Sequence, residues 1–90
     1  MKRIYITVHD SVQGVFFRYN AKKEALKLDL KGYARNMSDR TVEIVAEGPE
    51  DKLKEFVEFC KKGPGAAQVD KVDVKFGEAN NEFQNFGIRH

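Results

Sequence analysis

The stretch SVQGVFFR, residues 11–18, carries residue types that could bind an anion. Arg18 offers a planar fork of N–H donors that pairs bidentately with phosphate or carboxylate. Gly14 allows backbone angles and a close approach that a β-carbon would obstruct. A phosphate site is therefore one interpretation, in which Phe16 and Phe17 could keep water out. The alternative is a packed connection in which both rings enter the core and the arginine is exposed to solvent.

The flanking residues predict a strand before this stretch and a helix after it. Apolar residues alternate from Ile4 to Val8, the period of two that is typical of a strand with one buried face. Over residues 19–30 the apolar residues recur at helical spacing, with lysines on the other side. The stretch 11–18 is thus expected to be a loop, with Arg18 at or near the helix start. Unpaired N–H groups and the helix dipole favour an anion at such a junction.

The rest of the chain predicts four further strands and a second helix. Strands are expected over residues 31–37 and 41–48, and shorter ones around residues 72–76 and 86–88. Pro49 suits the first turn of a helix, where its missing N–H costs nothing. The apolar stripe of that helix, at i, i+3, i+4 and i+7, consists of Leu53, Phe56, Val57 and Cys60.

The predicted order is β-α-β-β-α-β with a short extra C-terminal strand, in a single domain over residues 1–90. Two split βαβ units of this kind form an antiparallel sheet with both helices on one face, the ferredoxin-like arrangement of the α+β class. That fold serves many functions, so it does not identify the function of this chain.

Two separate motifs resemble those of one enzyme family. VHDSVQGVFFRY, residues 8–19, is similar to the signature of the acylphosphatases, which reads Val-Gln-Gly-Val, any residue, Phe-Arg. A second signature of that family, a glycine and an aromatic followed shortly by an asparagine, matches Gly32, Tyr33 and Asn36 in GYARNM. The run VEIVAEGP and the ending F-x-N-F-x-I also fit, so the resemblance covers nearly the whole chain.

The resemblance implies the ferredoxin-like fold and the hydrolysis of an acyl phosphate to a carboxylate and inorganic phosphate. The family's arginine falls on Arg18 and its water-orienting asparagine on Asn36. Phosphoryl transfer of this kind depends mostly on positioning and charge stabilisation, and a carboxylate leaves readily without a general acid. No metal or other cofactor is implied. Backbone groups from these residues would complete the phosphate cradle: Val12, Gln13, Gly14, Val15, Phe16 and Phe17.

One residue departs from the family pattern and keeps an alternative open. Asp10 stands where family members usually have glycine, and a carboxylate close to a phosphate dianion would repel it. An inactive, phosphate-binding member of the family is therefore a second interpretation. An RNA-binding module of the same topology is a third, because KGYA imitates the start of an aromatic RNA-binding signature. Arg35 and Asn36 then stand where an aromatic and an apolar residue should follow.

Charge, cysteine content and hydropathy limit the kinds of partner and the compartment that we expect for this protein. A formal net charge of +2 favours neither nucleic acid nor an anionic surface. The single cysteine, Cys60, cannot form an internal disulfide and is expected in the core. No apolar run approaches the roughly 20 residues of a membrane span, and nothing at the N-terminus resembles a signal peptide. We therefore expect a cytoplasmic monomer with a small-molecule substrate and no nucleic-acid or membrane partner. His9 is interpreted as a peripheral residue of the sheet, not as a general base or metal ligand.

Overall fold

The chain folds in the order β-α-β-β-α followed by two strands, as the sequence predicts. The computed structural model describes residues 1–10, 15–63 and 69–89. In these residues the elements are β1 (Lys2–Asp10), α1 (Val15–Lys27), β2 (Lys31–Asn36), β3 (Thr41–Gly48), α2 (Glu50–Lys62), β4 (Val69–Glu78) and β5 (Phe86–Arg89).

The strands form one sheet in the order β4-β1-β3-β2-β5. β1 pairs antiparallel with both β3 and β4, and β2 pairs antiparallel with β3. The predicted ferredoxin-like α+β fold is confirmed. The short terminal strand β5 pairs parallel with β2, so the complete sheet is mixed.

One face of the sheet is covered by the helices, and we call the other the open face. The alternation in β1 and β3 places Ile4, Ile6 and Val8 with Val42 and Ile44 in the core beneath the helices. α1 packs on β2 and β5, whereas α2 packs on β4, β1 and β3. The predicted stripe of α2 is buried as expected and consists of Leu53, Phe56, Val57 and Cys60.

Both ends of α1 differ from the prediction of residues 19–30, because the helix spans Val15–Lys27. At the start, the Phe17 ring is in the core and extends the buried stripe of small residues back by one turn. At the end, Asp29 adopts a left-handed conformation with φ 58°. The N–H of Leu30 donates to the carbonyl of Ala25 and that of Asp29 to Leu26, a Schellman-type ending. Glycine usually takes this position, so the sequence carries no signal for it.

Gly32 allows β2 to lie closely against β3. Its φ is +146°, and a β-carbon built there would lie 1.8 Å from the carbonyl oxygen of Val45. Only glycine fits this approach without a shift of the backbone. The glycine of the second signature therefore has a structural role, since it fixes the strand that ends at Asn36.

A buried ion pair holds the β4–β5 connection, residues 79–85, on the open face; we call this segment the strap. Arg3 Nε donates to Glu47 Oε2 over 2.7 Å, and the two residues are 7% and 6% exposed. The backbone N–H groups of Asn80 and Asn81 each donate to the Glu47 carboxylate over 3.1 Å. The strap therefore buries the charges that alternation alone assigns to an outward face.

Candidate active site

Arg18 lies in the first turn of α1 and is 8% exposed, so the alternative of a solvent-exposed arginine does not hold. Its Nη1 donates to the main-chain carbonyl oxygen of Arg89, at the end of β5, over 3.1 Å. Its Nε is buried and has no hydrogen-bond partner in the part of the chain that is described. The described residues also provide no carboxylate partner for this guanidinium. Among the described residues, Arg18 Nε is therefore a donor without an acceptor.

Asn36 is the last residue of β2, and its position in the sheet defines the face to which it points. It lies opposite Val42 of β3, which in turn lies opposite Val8 of β1. Val8 and Val42 are buried beneath the helices, and directly opposed residues project to the same face of a sheet. Asn36 therefore projects to the helix side. Its Oδ1 is buried without a partner among the described residues.

The topology brings Arg18 and Asn36 to the same end of the sheet. Arg89, whose carbonyl accepts from Arg18, lies opposite Arg35, the residue before Asn36. Neighbouring strands are about 4.8 Å apart. β1 also ends here, at Asp10, because Val8 of β1 and Asn36 of β2 both lie opposite Val42 of β3. Three segments that are distant in sequence thus converge on one corner of the helix side.

The structure describes half of the predicted cradle. Val15, Phe16 and Phe17 form the first turn of α1, where backbone N–H groups have no partner within the helix. The Phe17 ring is in the core, as the second of its two interpretations predicts, and therefore does not shield the site from water. The side chains of Asp10, Val15 and Phe16 are outside the described part of the structure. So are three of the predicted cradle residues, Val12, Gln13 and Gly14.

Two other cationic side chains at this end, those of Arg35 and Arg89, lie on the open face. Arg35 Nη2 pairs with Glu43 Oε1 over 3.1 Å, and the guanidinium carbon of Arg89 lies 3.9 Å from the centroid of the Tyr33 ring. Burial, and then a hydrogen bond to Glu43, raise the pKa of Tyr33 above its ordinary value. These charges already have partners on the far side of the sheet. Of these three arginines, Arg18 is the one on the helix side, where its Nε has no acceptor among the described residues.

The open face offers little room for stacking nucleic-acid bases. An RNA-binding surface of this topology needs exposed aromatic rings on neighbouring strands. The Tyr33 ring is covered by Arg89 and meets Phe83 of the strap edge to face at 5.8 Å. Tyr5, which is 44% exposed, is separated from it by Val45 of β3. This geometry does not favour the RNA-binding interpretation.

Two features of this end were not foreseen from the sequence. The partner of Arg18 is a main-chain carbonyl, which every residue possesses, so no residue type could reveal it. His9, interpreted as peripheral, does lie at the surface, but its Nε2 is 3.0 Å from Asp73 Oδ2. The signal for this contact is the alternation of charged residues along β4, and it becomes specific only when the register of β1 and β4 is known.

Neither a metal-binding cluster nor a membrane-spanning helix is found in the described ranges. No group of three or more His, Cys, Asp or Glu side chains there could hold a metal ion. No helix within those ranges is long and apolar enough to cross a membrane.

Comparisons with known proteins agree on one family. A family model described as Acylphosphatase matches residues 4–88. A protein named acylphosphatase from Pyrobaculum islandicum is 44% identical over 87 residues, 96% of this chain and 92% of the relative. One from Thermus thermophilus is 47% identical over 78 residues, 87% of this chain and 89% of the relative. The crystal structure of acylphosphatase from Bacillus subtilis has a TM-score of 0.93 and 39% identity, with 100% of both chains covered.

Proposed function

The chain belongs to the acylphosphatase family, and we propose that Arg18, Asn36 and the backbone of residues 12–17 perform its reaction. The family model, the curated relatives and the solved structure support acylphosphatase function, that of a hydrolase acting on acid anhydrides. The observation that best supports the proposed residues is the buried guanidinium of Arg18, which has no carboxylate partner in the described chain. A buried charge is costly unless it is paired, so this group is suited to an anionic substrate.

In the first step the phosphate of an acyl phosphate binds at the start of α1. Arg18 donates to two phosphate oxygens, while Arg89 holds the guanidinium in place through its carbonyl. The N–H groups of residues 12–17 surround the remaining oxygens, as expected where a loop runs into a helix. Fixed donors of this kind stabilise the charge that spreads over the phosphoryl oxygens in the transition state.

In the second step a water molecule attacks phosphorus in line with the leaving carboxylate. The amide of Asn36 orients this water by accepting a hydrogen bond at Oδ1, the atom that has no described partner, and by donating one from Nδ2. The bond between phosphorus and the acyl oxygen breaks, and its electron pair leaves on the carboxylate. The attacking water becomes the fourth oxygen of inorganic phosphate, and its protons pass to phosphate and solvent.

This chemistry needs no general acid and no metal ion in our proposal. A carboxylate is a weak base, with a conjugate acid that ionises near pH 4 to 5, so it departs unprotonated. Arg18 supplies the permanent positive charge that a metal ion would otherwise supply.

We further propose a cytoplasmic monomer as the catalytic unit, with acyl phosphate and inorganic phosphate as its ligands and no nucleic-acid partner. Both proposed catalytic side chains, Arg18 and Asn36, come from one chain. Cys60, the single cysteine, is buried and unpaired, which suits a reducing compartment.

An inactive, phosphate-binding protein is the second candidate, and Asp10 is the observation that favours it. Its carboxylate replaces the glycine usual in the family, next to the stretch that would hold the phosphate. A negative charge there repels a phosphate dianion, both when the substrate binds and in the transition state. Such a protein would bind inorganic phosphate weakly and would not turn over.

The test is the hydrolysis of benzoyl phosphate, followed by ultraviolet absorbance in the presence of a metal chelator. Multiple turnover that the chelator leaves unchanged is the expected result. Phosphate binding without turnover would support the inactive candidate. Turnover that is lost with the chelator and restored by a divalent cation would contradict the proposed metal-independent mechanism.

A further inference from the structure

His9 lies where β1, β3 and β4 meet at the site end of the sheet. It is the residue after the buried Val8, so it projects to the open face, opposite Thr41 of β3 and Lys71 of β4. Its side chain is 39% exposed, and its Nε2 lies 3.0 Å from Asp73 Oδ2. The imidazole therefore joins the end of β1 to β4.

A second carboxylate, that of Asp39 in the β2–β3 turn (residues 37–40), is hydrogen-bonded to Thr41, which lies opposite His9. Asp39 Oδ1 accepts from the hydroxyl and the N–H of Thr41, at 2.6 and 3.1 Å. These hydrogen bonds, together with a smaller attraction from His9, hold the pKa of Asp39 below its ordinary value. The turn begins directly after Asn36. His9 thus also attracts the turn that directly follows Asn36, the proposed water-orienting residue.

The pairing of β1 with β4 changes register immediately after His9. His9 lies opposite Lys71, but Asp10 lies opposite Val69, so one extra residue on β4 forms a bulge. A bulge bends the strand that carries the extra residue, here β4, and locally disrupts its pairing with the partner strand. Here the chain that follows β1 leads into the proposed phosphate cradle. The contact between His9 and Asp73 holds β1 against β4 at the last position before the register of the two strands changes.

We propose that His9 is a positioning residue for phosphate binding and hydrolysis. Its protonated imidazole binds Asp73 and attracts Asp39, and so holds the end of β1 and the turn after Asn36 in their working geometry. His9 touches neither substrate nor water in this role. The inference rests on the proposed function, because it assumes that the phosphate binds at the end of β1 and that Asn36 orients the water.

The role predicts a pH dependence, since histidine changes charge between about pH 5 and 8. The protonated ring attracts both carboxylates, whereas the neutral ring keeps only a hydrogen bond to Asp73. Lys71 opposes the effect in part, because its Nζ lies 3.7 Å from the other oxygen of Asp73. The charged groups placed around the ring by register and turn are Asp73 and Lys71 on β4, Asp39 and Arg40 in the turn, and Glu43 on β3. Half-exposed pairs of this kind change an equilibrium by about two- to fivefold.

The test compares wild type with His9→Gln at about pH 5.5 and about pH 8.5. At each pH, kcat and KM for benzoyl phosphate and the Kd of inorganic phosphate are measured, and the ratio of variant to wild type is taken. This ratio cancels the effect of pH on the ionisation of benzoyl phosphate and inorganic phosphate, which is the same for both proteins. Asp73→Asn and the double variant complete a cycle at the lower pH. Lys75→Gln removes a charge elsewhere on the open face of β4 and serves as the control.

We expect His9→Gln to weaken kcat/KM and phosphate binding about threefold at the lower pH and to match wild type at the higher pH. The double variant should lose no more than either single variant. A ratio that is the same at both pH values, or losses that add in the double variant, would overturn the proposal. If wild type shows no hydrolysis, the proposed function fails, and the ratio of phosphate Kd values still decides the role of His9.

Discussion

Arg18 Nη1 donates to the carbonyl oxygen of Arg89 over 3.1 Å, which ties the first turn of α1 to the end of β5. A carbonyl accepts this hydrogen bond without neutralising the guanidinium, as a carboxylate would. The contact therefore orients Arg18 and leaves its charge available for phosphate. β5 extends the four-stranded part of the fold beside β2, and its last residue provides this contact.

Asn36→Ala should lower kcat for benzoyl phosphate on the order of a hundredfold and change KM little, because in the proposed mechanism the amide orients water and does not hold the phosphate. Asn85→Ala removes an exposed amide of the strap and is the matched control. Steady-state kinetics of the two variants make the comparison. A rise in KM at unchanged kcat would instead assign Asn36 to substrate binding.

Asp10→Gly should lower the KM for acyl phosphate about fivefold, since one unit charge a few ångströms from another contributes roughly 1 kcal/mol in a well-solvated site. Asp10→Asn removes the charge but keeps the size of the side chain, so it separates repulsion from backbone freedom. Both variants should also bind inorganic phosphate more tightly, as measured by titration calorimetry. If Asp10→Asn binds phosphate no better than wild type, repulsion by this carboxylate is not significant.

The Arg3–Glu47 pair should make stability depend on acid pH. Burial opposes the ionisation of Glu47, but the N–H of Asn80, then Arg3 and the N–H of Asn81, outweigh it and hold the pKa below its ordinary value. A folded-state pKa below the unfolded one contributes stability above the unfolded pKa. That contribution is lost as pH falls through the folded pKa. The free energy of unfolding should therefore decline below about pH 4.5.

Urea denaturation of wild type and Glu47→Gln at neutral and acid pH measures this contribution. The variant removes the buried carboxylate of Arg3 and leaves it only the half-exposed carboxylate of Glu82, so it should be less stable by about 2 kcal/mol at neutral pH. Its deficit should shrink as pH falls, because wild type then loses the same charge. A deficit that stays constant down to about pH 3 would show that the glutamate does not titrate with unfolding.

Gly32→Ala should destabilise the fold severely, because the new β-carbon would meet the carbonyl oxygen of Val45. A loss of more than about 3 kcal/mol, or failure to fold, is expected for a backbone clash in a central strand. Gly87→Ala on the neighbouring strand places its β-carbon in open space and is the control, expected within about 0.5 kcal/mol of wild type. Equal stability of the two variants would contradict the close approach of β2 to β3.

The parts of the fold that local pattern determines could be predicted from the sequence. Alternation in β1 and β3 and the stripe of α2 depend on which side chains enter one core, and the structure confirms them. The ends of α1 could not be predicted, because Asp29 ends the helix in a conformation usually taken by glycine. The burial of Arg3 could not be predicted, because alternation places it on an outward face and the strap that covers it lies more than 70 residues away in sequence.

The candidate site, like the fold, could be predicted from the sequence only in part. The residue types of Arg18 and Asn36 and their signatures could be identified in the sequence, since their chemistry belongs to the side chains. Their placement at one end of the sheet depends on the strand order and on β5, which local sequence pattern does not determine. The contact between His9 and Asp73 depends on the register of two strands that lie about 60 residues apart.

The most direct test of the account is kcat/KM of Arg18→Ala for benzoyl phosphate, with Arg18→Lys and Arg35→Ala measured alongside. Arg35 has the same charge but lies on the open face, paired with Glu43. We predict a loss on the order of a thousandfold or more for Arg18→Ala, only slight recovery with lysine, and near-normal turnover for Arg35→Ala. Near-normal turnover by a folded Arg18→Ala would contradict the central claim that this buried guanidinium holds the phosphate.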